Sequence, residues 1–333
     1  MVEPIRVYYL GSGELGVPVL ERLAAAPEIL LVGVGTQPDR PAGRRRQLTP
    51  TPVGAAAERL GRPADRVAAI NDAACLERLT ALAPDVVVVV SFGQLLREPV
   101  LRLPRHGCLN VHASLLPRHR GASPIQAAIL AGDAEAGVAF MRMDKGLDTG
   151  PVFEQLRLPL AGDETAGLLQ ERLGALAAAG IVPCLCRVCH EGWQPVPQAE
   201  AGATVARKIK KDDGQLDWKL DAALLARRVR AFNPWPGAWC GIRTSQGGVR
   251  RLIVTAAAAG TAADAVAPPG TVLQADRQAW TIACGAGCLR LERVIPEGRG
   301  EMGAAEFLRG HPLQAGQLLN GNNPLQNATP LAT

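Results

Sequence analysis

The sequence predicts an α/β fold: a doubly wound, mostly parallel sheet, followed by a small β-barrel domain. Three observations carry this prediction. Strand-like apolar runs alternate with amphipathic helical stretches up to about residue 190, the pattern of successive βαβ units. Val86–Val90 is five consecutive valines, the composition of a central parallel strand buried on both faces. Beyond residue 190 the pattern changes to short strands separated by turns, which suits a barrel. A chain of 333 residues suits two domains, and 47% hydrophobic with 20% charged residues permits a sizeable core. The expected division is an N-terminal domain at 1–190, a Pro- and Gly-marked linker at 191–206, a second domain at 207–320 and a polar tail at 321–333.

The elements follow in order. Residues 5–10 (I-R-V-Y-Y-L) read as a buried strand. The Gly-rich turn G-S-G-E-L-G at 11–16 follows, then a helix to about 26 and a strand at 29–35. Residues 36–52 hold four Pro and four Arg and read as a loop. A helix, a weak strand near 66–70 and another helix lead to Val86–Val90. Strands at 107–112, 137–143 and 152–160 and helices at about 123–131 and 164–190 complete the first domain. The second domain holds a helix at 221–231 and strands at 238–243, 250–256, 270–275, 279–283 and 287–294.

Composition excludes several classes. With 36 basic and 31 acidic residues, the net charge of +5 is too mild for a histone-like coat of nucleic acid. The longest apolar run without a charge, Leu173–Cys186, has 14 residues and contains Gly and Pro, short of a membrane span. The N-terminus lacks a basic region followed by a long apolar run, so no secretory leader is expected. The eight cysteines show no disulfide-framework spacing, so reduced thiols and a cytoplasmic location are expected.

Several motifs suggest chemistry and then lose it. G-S-G-E-L-G fits a dinucleotide-binding turn, but the acid that should end the second strand is missing; the next one, Asp39, lies in the Pro-rich loop. Cys186-Arg187-Val188-Cys189-His190 matches a c-type haem attachment pattern, which requires export. These thiols, with Cys184, read as buried helix residues, and no metal is expected. Asp148-Thr149-Gly150 resembles an aspartic-protease turn, but such enzymes need two facing carboxylates.

The informative stretch is 107–150. Asn110 and His112 are two apart on a strand, so both side chains emerge on one face. They stand at the strand's carboxyl end, where open α/β sheets bind ligands. An Asn N–H and a His can together hold an oxyanion. Asp148, in a Gly-flanked turn after the next strand, can orient the imidazole. No Ser or Cys is set beside a base, which suggests direct transfer to an external nucleophile.

N-V-H-A-S-L-L-P followed by G-L-D-T-G resembles the active-site signature of the 10-formyltetrahydrofolate-dependent formyltransferases. The resemblance spans about residues 4–320 and implies that a formyl group moves from folate N10 to an amine. It implies that Asn110 donates to the formyl oxygen, that His112 stabilises the tetrahedral oxyanion, and that Asp148 holds His112 and helps remove the amine proton. It implies that Ser114, Leu115, Leu116 and Pro117 border the folate. Phe92, Gly93, Gln94 and Leu95 would line the pterin pocket, chiefly by backbone. The first turn, usually like G-T-P-x-F in the family, differs here.

Among the family's branches, the loop T-Q-P-D-R-P-A-G-R-R-R at 36–46 is similar to that of methionyl-tRNA formyltransferases, in which it lies near the acceptor end of the initiator tRNA. R-A-F-N-P-W-P-G-A-W at 230–239 lies beyond the single domain of glycinamide ribonucleotide formyltransferases. This branch implies an OB-like second domain and a methionyl initiator tRNA bound at its acceptor stem. Arg40, Arg44, Arg45 and Arg46, with Arg207, Lys208, Lys210 and Lys211, would meet phosphates. Residues 207–230 hold eight basic and four acidic side chains, which supports phosphate contact or, equally, a solvated surface. A monomer without a membrane partner is expected. An amino-sugar N-formyltransferase using the same folate donor is the alternative, and a non-catalytic RNA-binding protein on the same fold is a third reading.

Overall fold

The computed structural model describes residues 3–42, 47–243, 248–261 and 267–319. The predicted tail at 321–333 and Arg44, Arg45 and Arg46 lie outside the described residues. The chain divides into two compact units. The first comprises Met1–Pro124, Glu135–Pro159 and Leu168–Arg207; the second comprises Ile125–Ala134, Leu160–Gly167 and Lys208–Thr333. Residues 191–206, expected as a linker, thus fall within the first unit.

The chain opens with β1 (Ile5–Gly11), α1 (Gly16–Ala25) and β2 (Ile29–Thr36). A ribbon follows, β3 (Arg40–Ala42) paired with β4 (Gln47–Thr49), where the sequence predicts only loop. Pro41 is tolerated because a two-stranded ribbon consists of edges. Then come α2 (Pro52–Arg59), β5 (Asp65–Arg66), α3 (Ala73–Leu82), β6 (Val86–Val90), α4 (Glu98–Arg102) and β7 (Cys108–His112). Next are β8 (Arg120–Gly121), α5 (Pro124–Ala131), β9 (Glu135–Arg142), β10 (Val152–Pro159), α6 (Ala166–His190) and β11 (Val205–Ala206). Side chains mark two helix starts. Thr51 accepts from Gly54 N at α2, and Asp72 accepts from Cys75 N at α3.

The first unit's main sheet has seven strands in the order β10-β9-β7-β6-β1-β2-β5. β5, β2, β1, β6 and β7 run parallel, β9 pairs antiparallel with β7, and β10 pairs antiparallel with β9. The chain builds outward from β1 to β2 and then returns to place β6 on its other side. The carboxyl ends of β1 and β6 therefore flank a topological switch point. All five valines of β6 are buried. The Gly-rich turn makes room for Tyr9: a Cβ on Gly11 or Gly16 would lie 2.7 or 2.5 Å from its side chain, and its hydroxyl donates to Gly16 O at 2.7 Å.

By length and composition α6, with 25 residues, could cross a membrane, a length the uninterrupted-run count underestimates. Its Leu169, Leu173, Ala177, Ile181 and Leu185 recur every fourth residue and are buried. Gly180 approaches Phe140 and Leu156 so closely that a Cβ would lie 2.8 and 2.5 Å from them. This face packs on β9 and β10, which makes α6 a core helix.

In the second unit, α7 (Ala222–Ala231) precedes an antiparallel sheet of β12 (Ala238–Arg243), β13 (Val249–Gly260), β14 (Val272–Ala275), β15 (Trp280–Ala283) and β16 (Cys288–Pro296). Its order is β12-β13-β16-β15-β14, and β17 (Met302–Gly303) pairs with β16. A last helix, α8 (Ala304–Gly310), has no counterpart in the sequence reading. β13 outruns its predicted end because β16 pairs along its alanines, with register shifts around Ala256. One core holds the unit together. Trp280 stacks on Phe307 with ring centroids 5.6 Å apart, and Leu225 and Val229 of α7 are buried in the same cluster.

Candidate active site

β7 ends by delivering Asn110 and His112, as period-two geometry requires. His112 is 6% exposed. Its Nε2 lies 3.0 Å from the carbonyl oxygen of His119. A carbonyl can only accept, so this partner places a proton on Nε2. Nδ1 is left facing Asp148 Oδ2 at 3.7 Å.

Asp148 sits in the turn after β9 with φ of 54°, a left-handed conformation uncommon for a non-glycine residue. Its carboxylate is held from two sides. Oδ1 accepts from Asn110 Nδ2 at 3.3 Å, and Oδ2 accepts from the Gly121 amide at 2.8 Å. Asn110 spends one amide hydrogen on Asp148, and its amide carries a second donor. The structure thus brings the three predicted catalytic residues into one contiguous arrangement.

The loop behind them is braced by residues distant in sequence. The His119 amide donates to Thr204 Oγ1 at 2.8 Å, with His119 itself at φ 59°. The amides of Arg120 and Ala122 donate to the carbonyls of Thr204 and Ala206 at 2.9 and 2.8 Å, the β8–β11 ladder. Gln198 donates to the carbonyl oxygens of Asp148 and Gly150, both at 2.8 Å. Sequence reasoning missed His119, Thr204 and Gln198, because nothing local marks a partner 48 to 85 positions away.

The expected folate residues occupy two loops. Ser114 is buried, and its hydroxyl donates to Arg118 O at 2.7 Å. Leu116 is buried with Ala139 and Met141, Leu115 is half-buried beside Gly137, and the Leu116–Pro117 peptide is cis. After β6, Phe92 turns into the core and Leu95 is 62% exposed. Gln94 is occupied by the protein: Oε1 accepts from Ile70 N at 2.8 Å, and Nε2 donates to Val67 O at 2.9 Å. Gly93 has φ of +84°, and a Cβ there would meet only Gln37 Nε2, at 3.7 Å. Gln37 Nε2 also donates to Phe92 O at 3.1 Å, and its backbone amide donates to Ser12 Oγ at 3.1 Å. The first turn and the 91–96 loop thereby meet at the switch point.

Of the predicted phosphate contacts, Arg40 is exposed on β3. Arg207 ends the first unit and is half-buried, whereas Lys208, Lys210 and Lys211 are exposed in the second. Asp39 is bound by Arg66 at 2.9 Å. All eight cysteines are free thiols. Burial pushes Cys184 and Cys189 up to about 12 and raises Cys186, which favours the thiol over the reactive thiolate. Among the described residues, no group of three His, Cys, Asp or Glu side chains is placed to hold a metal.

Residues 6–185 match the formyl transferase family, and residues 208–312 match the formyl transferase C-terminal domain. A methionyl-tRNA formyltransferase of Magnetococcus marinus is 41% identical over 94% of this chain and 98% of its own length. One from Aromatoleum aromaticum is 44% identical over 94% and 96%. Among solved structures, an N-formyltransferase from Helicobacter canadensis, in complex with folinic acid and dTDP-3-aminofucose, superposes with a TM-score of 0.62 at 13% identity, covering 87% of this chain and 100% of that one. A methionyl-tRNA formyltransferase from Clostridium thermocellum gives 0.52 at 15%, covering 76% and 93%. At those identities the superpositions speak for the fold alone. The curated sequences reach further, and by them the chain belongs to the formyl transferase family, among the methionyl-tRNA formyltransferases.

Proposed function

We propose that this chain transfers the formyl group of 10-formyltetrahydrofolate to the α-amine of methionyl initiator tRNA. The observation that carries the reading is the joined Asn110, His112 and Asp148 set in a chain 41–44% identical to methionyl-tRNA formyltransferases. The free hydrogen of Asn110 Nδ2 is offered to the formyl oxygen. As the amine attacks, negative charge grows on that oxygen, and His112 answers it through Nδ1. Asp148 supports the positive imidazole and relays the proton that the amine sheds toward N10, ending with its own charge restored. One N–C bond forms and the bond to folate N10 breaks. The proton lost by the amine is balanced by one gained at N10.

The folate donor fits the switch-point loops. Exposed Leu95 supplies an apolar edge, and at Gly93 only the Gln37 side chain comes near the backbone. A flat heterocycle with in-plane donors and acceptors needs both. With Gln94 committed to residues 67–70, recognition there falls to backbone groups. Ser114, Leu115, Leu116 and Pro117 border the same donor in this reading.

Residues 1–190 form the catalytic domain and 207–320 the tRNA-binding domain in this proposal. Arg40, Arg44, Arg45, Arg46, Arg207, Lys208, Lys210 and Lys211 neutralise acceptor-stem phosphates, which gives affinity and salt dependence but not sequence choice. One chain supplies all three catalytic side chains, so a monomer suffices for the reaction in this proposal. The free thiols suit a reducing cytoplasm.

The test is formylation of methionyl initiator tRNA with 10-formyltetrahydrofolate at two salt concentrations. Rapid transfer, weakened by salt and by Arg44→Ala, is expected. Failure to formylate the tRNA, with the folate still bound, would overturn the acceptor assignment in favour of an amino sugar.

A further inference from the structure

We propose that Gln198 is a positioning residue that sets the Asp148 turn for catalysis. One side-chain NH2 group spans the turn, donating to the carbonyls of both Asp148 and Gly150 at 2.8 Å. Gln198 Oε1 accepts from Arg120 Nε at 3.0 Å. The partners fix the orientation of the amide. Flipped, its oxygen would face two carbonyls and its nitrogen would face a guanidinium. Arg120 is itself 8% exposed and ends 3.5 Å from the Glu200 carboxylate.

Asp148 needs such a clamp. A non-glycine residue stays at φ 54° only where its surroundings impose it. Gly121 and Asn110 hold its carboxylate end, whereas Gln198 holds its backbone end. The outer side of the turn is pinned separately, by Asp144 accepting from the Gly146 amide and the Thr149 hydroxyl at 2.9 Å each. Removing Gln198 would release the two inner carbonyls to water and let the carboxylate pivot away from His112 Nδ1. A displacement near 1 Å at such a group typically costs on the order of 100-fold in rate. Gln198 touches no reacting atom; it acts through Asp148.

This inference rests on the formyl-transfer reading, and the unmodified chain tests that reading in the same assay. Two variants probe the clamp. Gln198→Met keeps the volume and loses both donors. Gln198→Glu keeps an acceptor for Arg120, which protects the fold, but sets an oxygen against two carbonyls. Both are expected to lower kcat roughly 10- to 100-fold while KM for methionyl-tRNA changes less than about twofold. In an Asp148→Asn background, Gln198→Met is expected to cost no more than about twofold further, since its effect runs through that carboxylate. Hydrogen exchange in residues 146–150 should quicken in Gln198→Met and stay unchanged in β6. An active unmodified chain whose Gln198 variants keep full kcat would overturn the positioning role alone. So would an undiminished second loss in the Asp148→Asn background. An inactive unmodified chain would overturn the formyl-transfer reading beneath it.

Discussion

Replacing Asp148 by Asn changes one atom and leaves the size of the side chain intact, so its effect is electrostatic. Both carboxylate oxygens accept N–H groups, from Asn110 Nδ2 at 3.3 Å and Gly121 N at 2.8 Å. Whichever way the new amide turns, its NH2 opposes one of those donors. Losing one charge-assisted bond costs about 1.5–3 kcal/mol of stability. A flip of Asn110 would relieve the opposition only by turning its free N–H away from the formyl oxygen. The rate effect comes from lost charge. A carboxylate 3.7 Å from a positive imidazole attracts it by about 4 kcal/mol at an effective dielectric near 20. With the Asp148 side chain 13% exposed, solvent trims this to about 2–4 kcal/mol, a fall in kcat of roughly 30- to 1000-fold. The assay is formylation of methionyl initiator tRNA at saturating folate donor, with circular dichroism confirming the fold. An Asp148→Asn protein that keeps kcat within about threefold of the unmodified chain would refute the electrostatic role.

Three further outcomes are expected. Gly121→Ala forces a Cβ to 2.5 Å from the Ala206 carbonyl oxygen at φ +116°, so thermal unfolding should shift by about 2 kcal/mol or more, and an unchanged melt would contradict the close backbone approach. Thiols held near 12 are only about 0.01% ionised at pH 8, so buried Cys184 and half-buried Cys189 should react with a disulfide reagent at least about 100-fold more slowly in the folded chain than in denaturant; equal rates would show that the fold does not raise their thiols. Hydrogen bonds from Arg293 and then Thr255 hold the Glu301 carboxyl below its usual value, so its stabilisation is present above the unfolded value near 4.5 and fades as pH falls. Glu301→Gln should therefore be less stable by under about 1 kcal/mol at pH 7, and the difference should shrink as pH falls below 4.5, whereas a difference that does not change with pH would exclude the linkage.

Legibility in the sequence depended on distance along the chain. β6 was plain because five valines admit little else, and Asn110 and His112 were plain because strand geometry alone pairs them. Asp148 needed only one turn of topology. The β3–β4 ribbon hid behind Pro41, because propensity penalises proline without knowing that the ribbon has only edges. The end of β13 hid in an alanine run whose extended form is imposed by β16. Gln198 and Thr204 looked like linker residues: each acts through backbone groups of a segment far upstream, and a backbone carbonyl leaves no trace in the residue type that carries it. Cys184, Cys186 and Cys189 show the converse, a vivid motif on a packed helix in which Cys184 is buried and the other two are half-buried.

The bracing of the catalytic loop also orders events during synthesis. Thr204 reaches back 85 positions to His119, and Gln198 reaches back 50 to Asp148. Translation at about 5–20 residues per second exposes the seven sheet strands well before either brace emerges. A nascent chain ending at His190 would carry Asn110, His112 and Asp148 on a complete sheet, with the His119 amide unanchored and the Asp148 carbonyl unclamped. Alignment of the three side chains would then arrive late and abruptly, with the last few residues of the first unit, so a partly made chain would hold the reagents of the reaction without their alignment.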